Sequence, residues 1–109
     1  MAETYKVLGQ SNPAATTLTT LYTVPASTNT VCSSMVICNR STSATTYRIS
    51  VAVNGAADNN NQYIAYDVSL PANISQTLVL GITLAAADLI RVYASAQNLT
   101  FSIFGCEIT

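Results

Sequence analysis

The stretch Thr46-Tyr47-Arg48-Ile49-Ser50-Val51-Ala52-Val53 decides the fold, because apolar residues occupy every second position along it. A repeat of two residues is the period of a β-strand, whose successive side chains point to opposite faces of the sheet. The alternation predicts a strand with one buried face and one outer face, as in an antiparallel sheet. The predicted inner set is Tyr47, Ile49, Val51 and Val53, and the predicted outer set is Arg48, Ser50 and Ala52.

The C-terminal stretch Leu99–Ile108 repeats this pattern. Its apolar residues Leu99, Phe101 and Ile103 alternate with hydroxyl-bearing residues. The alternation changes at Phe104-Gly105, where a glycine relieves the backbone, and this predicts a β-bulge.

The rest of the chain consists of short β-type segments that turn residues separate about every dozen positions, a spacing typical of sandwiches and barrels. We expect one domain over residues 1–109, all-β, an antiparallel β-sandwich of about eight strands, jelly-roll-like or Ig-like. The alanine-rich stretch Ile82–Ile90 is predicted to be a loop with at most one helical turn. The predicted strands are Tyr5–Leu8, Leu18–Val24, Val31–Asn39, Thr45–Asn54, Gln62–Val68, Gln76–Ile82, Leu89–Ala94 and Leu99–Ile108.

Charge is the unusual part of the composition. Charged residues are 8% of the 109, whereas about 25% is average for soluble domains. Serine, threonine and asparagine take their place, and such side chains are buried against a neighbour at lower cost than ammonium or carboxylate groups. This surface predicts a subunit of an assembly. Four basic residues and a net charge of −1 exclude a nucleic-acid partner of the ordinary basic kind.

The residue inventory predicts a protein that is not an enzyme, with no catalytic residues and no cofactor. There is no histidine, and the five acids are scattered over loops and strand ends. Asp67 and Asp88 could form a carboxylate pair, but nothing in the sequence brings them together. The serines and threonines lack a base that would make them nucleophiles.

No metal site is predicted either. The oxygen-rich segment 58–61 lacks the ligand spacing of a calcium loop and fits a solvated turn better. Cys32, Cys38 and Cys106 cannot all pair, and without histidine or a CxxC spacing a zinc site is not expected. They are predicted to be free, small apolar residues.

No targeting or membrane segment is expected. The first residues lack the basic and apolar regions of a signal peptide, which predicts synthesis in the host cytoplasm. The longest apolar run, Leu78 to Ala87, is interrupted and too short to cross a bilayer, so no membrane partner is expected.

Four residues are candidates for an interface: Tyr63, Tyr66, Arg91 and Tyr93. They lie on predicted strands, and tyrosine and arginine are enriched at the centres of protein interfaces. The alternative is that the tyrosines simply flank the core with their hydroxyls in water.

Several motifs spread over nearly the whole chain resemble small virion structural proteins of tailed bacteriophages. The resemblance implies a β-sandwich that assembles on the outside of a particle, and it carries no catalytic residues with it. The motifs are Leu21–Ala26 (LYTVPA), Val36–Ser41 (VICNRS), Tyr63–Asp67 (YIAYD), Leu80–Leu84 (LGITL), Ile90–Ser95 (IRVYAS) and Phe104-Gly105.

Within that group, the expected function is a capsid decoration (cement) protein. We expect it to bind the major capsid protein on the outer capsid surface of the virion, as a homotrimer. The alternative is a small tail, baseplate or fibre-associated structural protein. A third hypothesis is a carbohydrate-binding module, since jelly rolls include lectin domains. Against it, the chain has no tryptophan that could stack on a sugar.

Overall fold

The computed structural model describes residues 2–79 and 81–109. No helix in this part of the chain is long and apolar enough to cross a membrane. Two single-turn 3₁₀ helices, Val53–Gly55 and Asn60–Gln62, follow the fourth strand. The strands are β1 (Glu3–Ser11), β2 (Thr19–Thr23), β3 (Asn29–Asn39), β4 (Thr45–Ala52), β5 (Tyr63–Leu70), β6 (Ser75–Leu78), β7 (Ile82–Leu84), β8 (Leu89–Ala94) and β9 (Leu99–Ile108).

The strands form two antiparallel sheets that pack face to face, which confirms the predicted all-β sandwich. One sheet has the order β1-β9-β3-β6, with β7 also paired to β3, and the other has the order β2-β8-β4-β5. Because β6 and β7 pair with successive parts of β3, they act as one interrupted strand. Counted so, the described residues form eight strands, and their order is that of a jelly roll.

The predicted strands match the observed ones to within a few residues, with one exception. The prediction of a single strand Gln76–Ile82 is wrong, because β6 ends at Leu78 and β7 begins at Ile82. Leu80, which belongs to that prediction and to one of the motifs above, lies outside the described residues, as does Met1. The stretch predicted as a loop begins with β7, and only Ala85 to Asp88 form the turn.

The alternation predicted for residues 46–53 is observed at every position except the last, Val53. Tyr47 and Ile49 are buried in the core, and Val51 packs against it. Val53, predicted to face inward, is 70% exposed, because the strand ends at Ala52 and Asn54 turns the chain with φ 55°.

Ser50 and Ala52 lie on the outer side of β4, as predicted, but they are fully buried. The segment after β4 packs against this end of the sheet: Arg91 donates a hydrogen bond of 2.9 Å to the carbonyl of Ala56. The outer face of the sheet that contains β4 is therefore covered at one end by the segment after β4, and it is open at the other end.

The predicted irregularity at Phe104-Gly105 is confirmed, but the extra residues lie in the neighbouring strands. Opposite Gly105 and Phe104, the register of β3 skips from Cys32 to Ser34. A Cβ atom on Gly105 would lie 2.2 Å from the carbonyl oxygen of Val31. Since real Cβ contacts are far longer than this, the bulge in β3 requires glycine at position 105.

Aromatic side chains connect the two sheets through the core. Tyr47 of β4 packs edge to face against Phe101 of β9, with ring centroids 6.2 Å apart. Its hydroxyl donates a 2.7 Å hydrogen bond to the side-chain oxygen of Gln76 on β6. A buried tyrosine hydroxyl needs such a partner, so this bond fixes the position of one sheet over the other.

A polar cluster joins the sheets at one end of the sandwich. The hydroxyl of Tyr22 on β2 donates to the Glu107 carboxylate at 2.6 Å and lies 2.8 Å from the hydroxyl of the buried Thr30. Lys6 pairs with the other carboxylate oxygen of Glu107 at 2.9 Å. Burial, together with the bond to Glu107, raises the pKa of Tyr22 to about 12. The hydrogen bonds from Tyr22 and Lys6 lower the pKa of Glu107.

Substituting Gly105→Ala is expected to destabilise the protein by about 3 kcal/mol or more, because the new methyl group collides with the backbone of β3. Gly55→Ala is the matched control. Unlike Gly105, Gly55 has a positive φ, 68°, and its added Cβ would meet nothing closer than 3.7 Å. Gly55→Ala should lower the free energy of unfolding by only about 1–2 kcal/mol, the cost of placing a Cβ on a left-handed backbone. Urea denaturation monitored by circular dichroism measures both, and equal losses would contradict the role given to Gly105.

The lowered pKa of Glu107 predicts acid sensitivity. In the folded state its pKa lies below the ordinary value of 4.5, so its carboxylate stabilises the fold above about pH 4.5. That contribution is lost as the pH falls through the folded-state pKa. The free energy of unfolding should therefore drop more steeply below pH 4.5 in the unmodified protein than in Glu107→Gln. Parallel curves for the two proteins between pH 7 and pH 3 would show that Glu107 makes no such contribution.

Candidate interaction surface

All four residues predicted for an interface lie on the outer face of the sheet β2-β8-β4-β5. Arg91 on β8 is paired with Ser50 on β4, which is paired with Tyr63 on β5. Directly opposed residues in an antiparallel pair point to the same face, so these side chains form one row. Tyr93 follows Arg91 by two positions on β8 and belongs to the next row.

Arg48 occupies the centre of that second row. It is the partner of Tyr93 across β4 and β8, and β5 brings Tyr66 to its other side. The Arg48 Cζ atom lies 4.1 Å from the ring centroid of Tyr66 and 4.3 Å from that of Tyr93. Both distances fall within the range of cation–π attraction, so the guanidinium is held between two aromatic rings.

Asp67 completes the coordination of this guanidinium. Arg48 Nε donates to one carboxylate oxygen of Asp67 at 2.6 Å, and Nη2 donates to the other at 3.3 Å. The bond to Asp67 raises the pKa of Arg48, so the group stays charged. A two-pronged contact of this kind fixes the plane of the guanidinium as well as its position.

A β-bulge makes this arrangement possible. Between Tyr47 and Ile49 the register of β5 advances by one extra residue, so both Tyr66 and Asp67 face Arg48. Asp67 adopts φ 51°, a left-handed conformation that is uncommon outside glycine, asparagine and aspartate. Backbone strain of this kind often occurs at functional sites, and here it aims an aromatic ring and a carboxylate at one cation.

Tyr63 extends the cluster along β5. Its ring packs edge to face on Tyr66, with centroids 5.0 Å apart, and its hydroxyl lies 3.3 Å from a carboxylate oxygen of Asp58. Partial burial, with a smaller effect of Asp58, raises the pKa of Tyr63. We call Arg48, Tyr63, Tyr66, Asp67 and Tyr93 the Arg48 cluster. Tyr66 is its most open aromatic residue, with 55% of its surface exposed.

Arg91 lies beside the cluster rather than in it. Its Nη2 atom bonds the carbonyl of Ala56, and its Nη1 atom is buried without a hydrogen-bond partner in the described part of the chain. The hydroxyl of its cross-strand neighbour Ser50 is likewise buried without a hydrogen-bond partner among the described residues. Arg91 therefore anchors the segment after β4 to the sheet.

The other polar candidates have separate structural roles. Asp88 is nearly buried and accepts hydrogen bonds from the backbone amides of Asn54 and Ala85 at 2.8 and 2.9 Å. It thus has different partners from Asp67, and the structure does not join the two acids into a pair. Residues 2–79 and 81–109 contain no group of three or more acidic, cysteine or histidine side chains that could hold a metal ion.

The three cysteines are free. Cys32 and Cys106 are buried and Cys38 is half-buried. Burial raises the pKa of the Cys32 thiol to about 11, which keeps it protonated and unreactive near neutral pH.

Sequence reasoning missed Arg48 and Asp67 as members of this surface. The alternation along β4 does place Arg48 on the outer side, so a partial signal exists. Its two aromatic neighbours come from two other strands, however, and the bulge that turns Asp67 toward it leaves no mark in the local sequence pattern.

Comparison with known proteins provides no relative from which a function could be transferred: no family model, curated protein or solved structure matches the chain significantly.

The contacts of Arg48 predict an energetic coupling that a double-mutant cycle can measure. Arg48→Ala should lower the free energy of unfolding by about 1–2 kcal/mol, the sum of two cation–π contacts and one exposed ion pair. Its coupling to Tyr66→Ala should be about 0.5–1 kcal/mol. Tyr5→Ala, a change at an exposed tyrosine on the other sheet, should be additive with Arg48→Ala. Coupling no larger with Tyr66 than with Tyr5 would show that the guanidinium gains nothing from the ring.

Proposed function

We propose that this chain is a virion structural protein, a capsid decoration protein that binds the major capsid protein lattice through the Arg48 cluster. It acts as a homotrimer on the outer capsid surface, and its role is mechanical rather than catalytic. The observation that carries the proposal is the partly exposed guanidinium of Arg48, which lies between the rings of Tyr66 and Tyr93.

The cluster has the properties of an interface centre. Arginine and tyrosine are over-represented among residues that dominate binding energy, because they offer large contact areas with few side-chain torsions to freeze. Here the arginine is already held by two rings and a carboxylate. Little conformational entropy remains to be lost on binding, so such a surface favours a tight contact with a protein partner.

The surroundings of the cluster also support burial in an assembly. Neighbouring outer-face positions such as Thr20 and Thr46 carry hydroxyls rather than charges. Covering them does not require removing further ions from water. The motif resemblance to phage virion proteins then directs the choice of partner to the capsid lattice.

The proposed role follows from linkage. A protein that binds only the assembled shell stabilises it by RT ln(1 + [L]/Kd) per site, about 4 kcal/mol at a thousandfold excess over Kd. Repeated over a lattice, this increment opposes the disassembly of the shell under internal pressure.

Binding of purified protein to empty shells that lack it tests the proposal. The unmodified chain should sediment with shells and raise their disassembly temperature. Tyr66→Ser should weaken binding by about tenfold or more, because it removes an aromatic contact at the centre of the surface. Val53→Ser, at a valine exposed outside the cluster, should bind normally. Equal binding of the two variants would exclude the cluster as the contact, and absence of binding by the unmodified chain would refute the decoration role.

The copy number in purified virions separates head from tail. A decoration protein should be present in a fixed ratio to the major capsid protein and should remain on tail-free capsids. A count that matches the low symmetry of a tail or baseplate, with the chain missing from tail-free capsids, would refute the placement on the head.

A further inference from the structure

The outer face of the other sheet has a different chemistry. Along β9, the outward positions after Ser102 are apolar: Phe104, Cys106 and Ile108. The register places Tyr5 of β1 and Val31 of β3 on either side of Cys106, and Val7 beside Phe104. We call these six residues the apolar face. Four of them, Tyr5, Val31, Phe104 and Cys106, border an open hollow of about 350 Å³, which Lys6, Ser33 and Gly105 also line.

Several members of this face are open to solvent although they are large and apolar. Tyr5 is 77% exposed, Val7 49% and Val31 38%. Isolated exposed apolar residues are ordinary, but a contiguous group on one sheet face is typical of a protein contact. Cys106 lies between them and is 9% exposed, so the surface is continuous across β1, β9 and β3.

We infer that the apolar face is the contact between copies of this chain. The first reason is charge. Among the described outward positions of this sheet, the only charged residue is Glu3, at the end of β1, and its carboxylate already accepts a 2.9 Å hydrogen bond from the Tyr5 hydroxyl. The six residues of the apolar face carry no charge, and Lys6, which borders its hollow, is paired with Glu107. A neighbouring copy can therefore cover the face with little repulsion between like charges.

The second reason is size. The whole outer face of this sheet, which includes the apolar face, spans roughly 33 Å by 19 Å, at ~3.3 Å per residue and ~4.8 Å per strand, or about 600 Å² in plan. Because side chains project from this plane, the accessible area is larger and comes near the roughly 800 Å² per partner of a stable interface.

The third reason is composition: contacts between identical subunits are more apolar than those between separate partners. The Arg48 cluster, with its ions, fits a separate partner better.

The edge of the sheet favours the same occupant. β1 pairs only with β9, so within the described residues its other edge has no strand beside it. Tyr5 and Val7 belong to this edge strand, so a neighbouring copy on the apolar face would lie beside the edge and limit access to it. Covering an edge protects its unpaired amides and carbonyls from uncontrolled strand pairing.

The experiment measures the oligomeric state of the purified chain, away from any shell, by light scattering and analytical ultracentrifugation over a range of concentrations. The unmodified chain should form a discrete oligomer. Val31→Lys should raise its dissociation constant by about thirtyfold or more, because it places an unpaired charge in the middle of the contact. Val53→Lys, the same change at a 70% exposed valine outside the face, should leave the oligomer intact. Thermal unfolding by circular dichroism verifies that both variants fold.

Self-association is measured here without capsids, so its failure is distinct from a failure of the proposed function. A chain that stays monomeric at all concentrations would overturn the inference, as would an oligomer that Val31→Lys leaves intact. A monomer whose shell binding is abolished by Val31→Lys would also overturn it and would assign the apolar face to the shell.

Discussion

The close approach of β9 to β3 at Gly105 is the constraint on which the rest of the structure depends. With no side chain at that position, the carbonyl of Val31 comes where a Cβ atom would otherwise lie, and β3 accommodates an extra residue at Ser33. Before the bulge, Cys32 faces the core; after it, Met35 does. β9 keeps its own alternation throughout. The bulge therefore completes the core and at the same time sets Val31 beside Cys106 on the outside.

Local alternation predicted those strands in which register and sequence agree. In β4 and the first half of β9 the inward positions are the large apolar ones, and the structure buries them. The pattern misleads where strands contain bulges. In β2, Leu21 and Tyr22 are adjacent and both buried, because the register shifts between Thr20 and Tyr22. Bulges depend on the partner strand, and a single sequence gives little indication of where they lie.

The order of the strands in the sheets could not be predicted from the sequence for a related reason. A jelly roll pairs strands that are far apart in the chain, such as β1 with β9 and β3 with β9. Nothing in the composition of one strand identifies such a partner. The same limit explains why the surface around Tyr63, Tyr66 and Tyr93 could be suspected from its tyrosines while its central cation, Arg48, was not. The cluster depends on three strands and on the left-handed backbone of Asp67.

The jelly roll itself does not assign a function, since one fold supports many. What distinguishes this molecule is the contrast between its two outer faces. One holds an arginine between aromatic rings and pairs it with a carboxylate; the other is apolar at Tyr5 and Val7 of β1 and along the second half of β9. Sparse charge lowers the cost of covering both faces. Any partner that binds only the folded chain adds to its stability by mass action, an increment that matters most in a small domain.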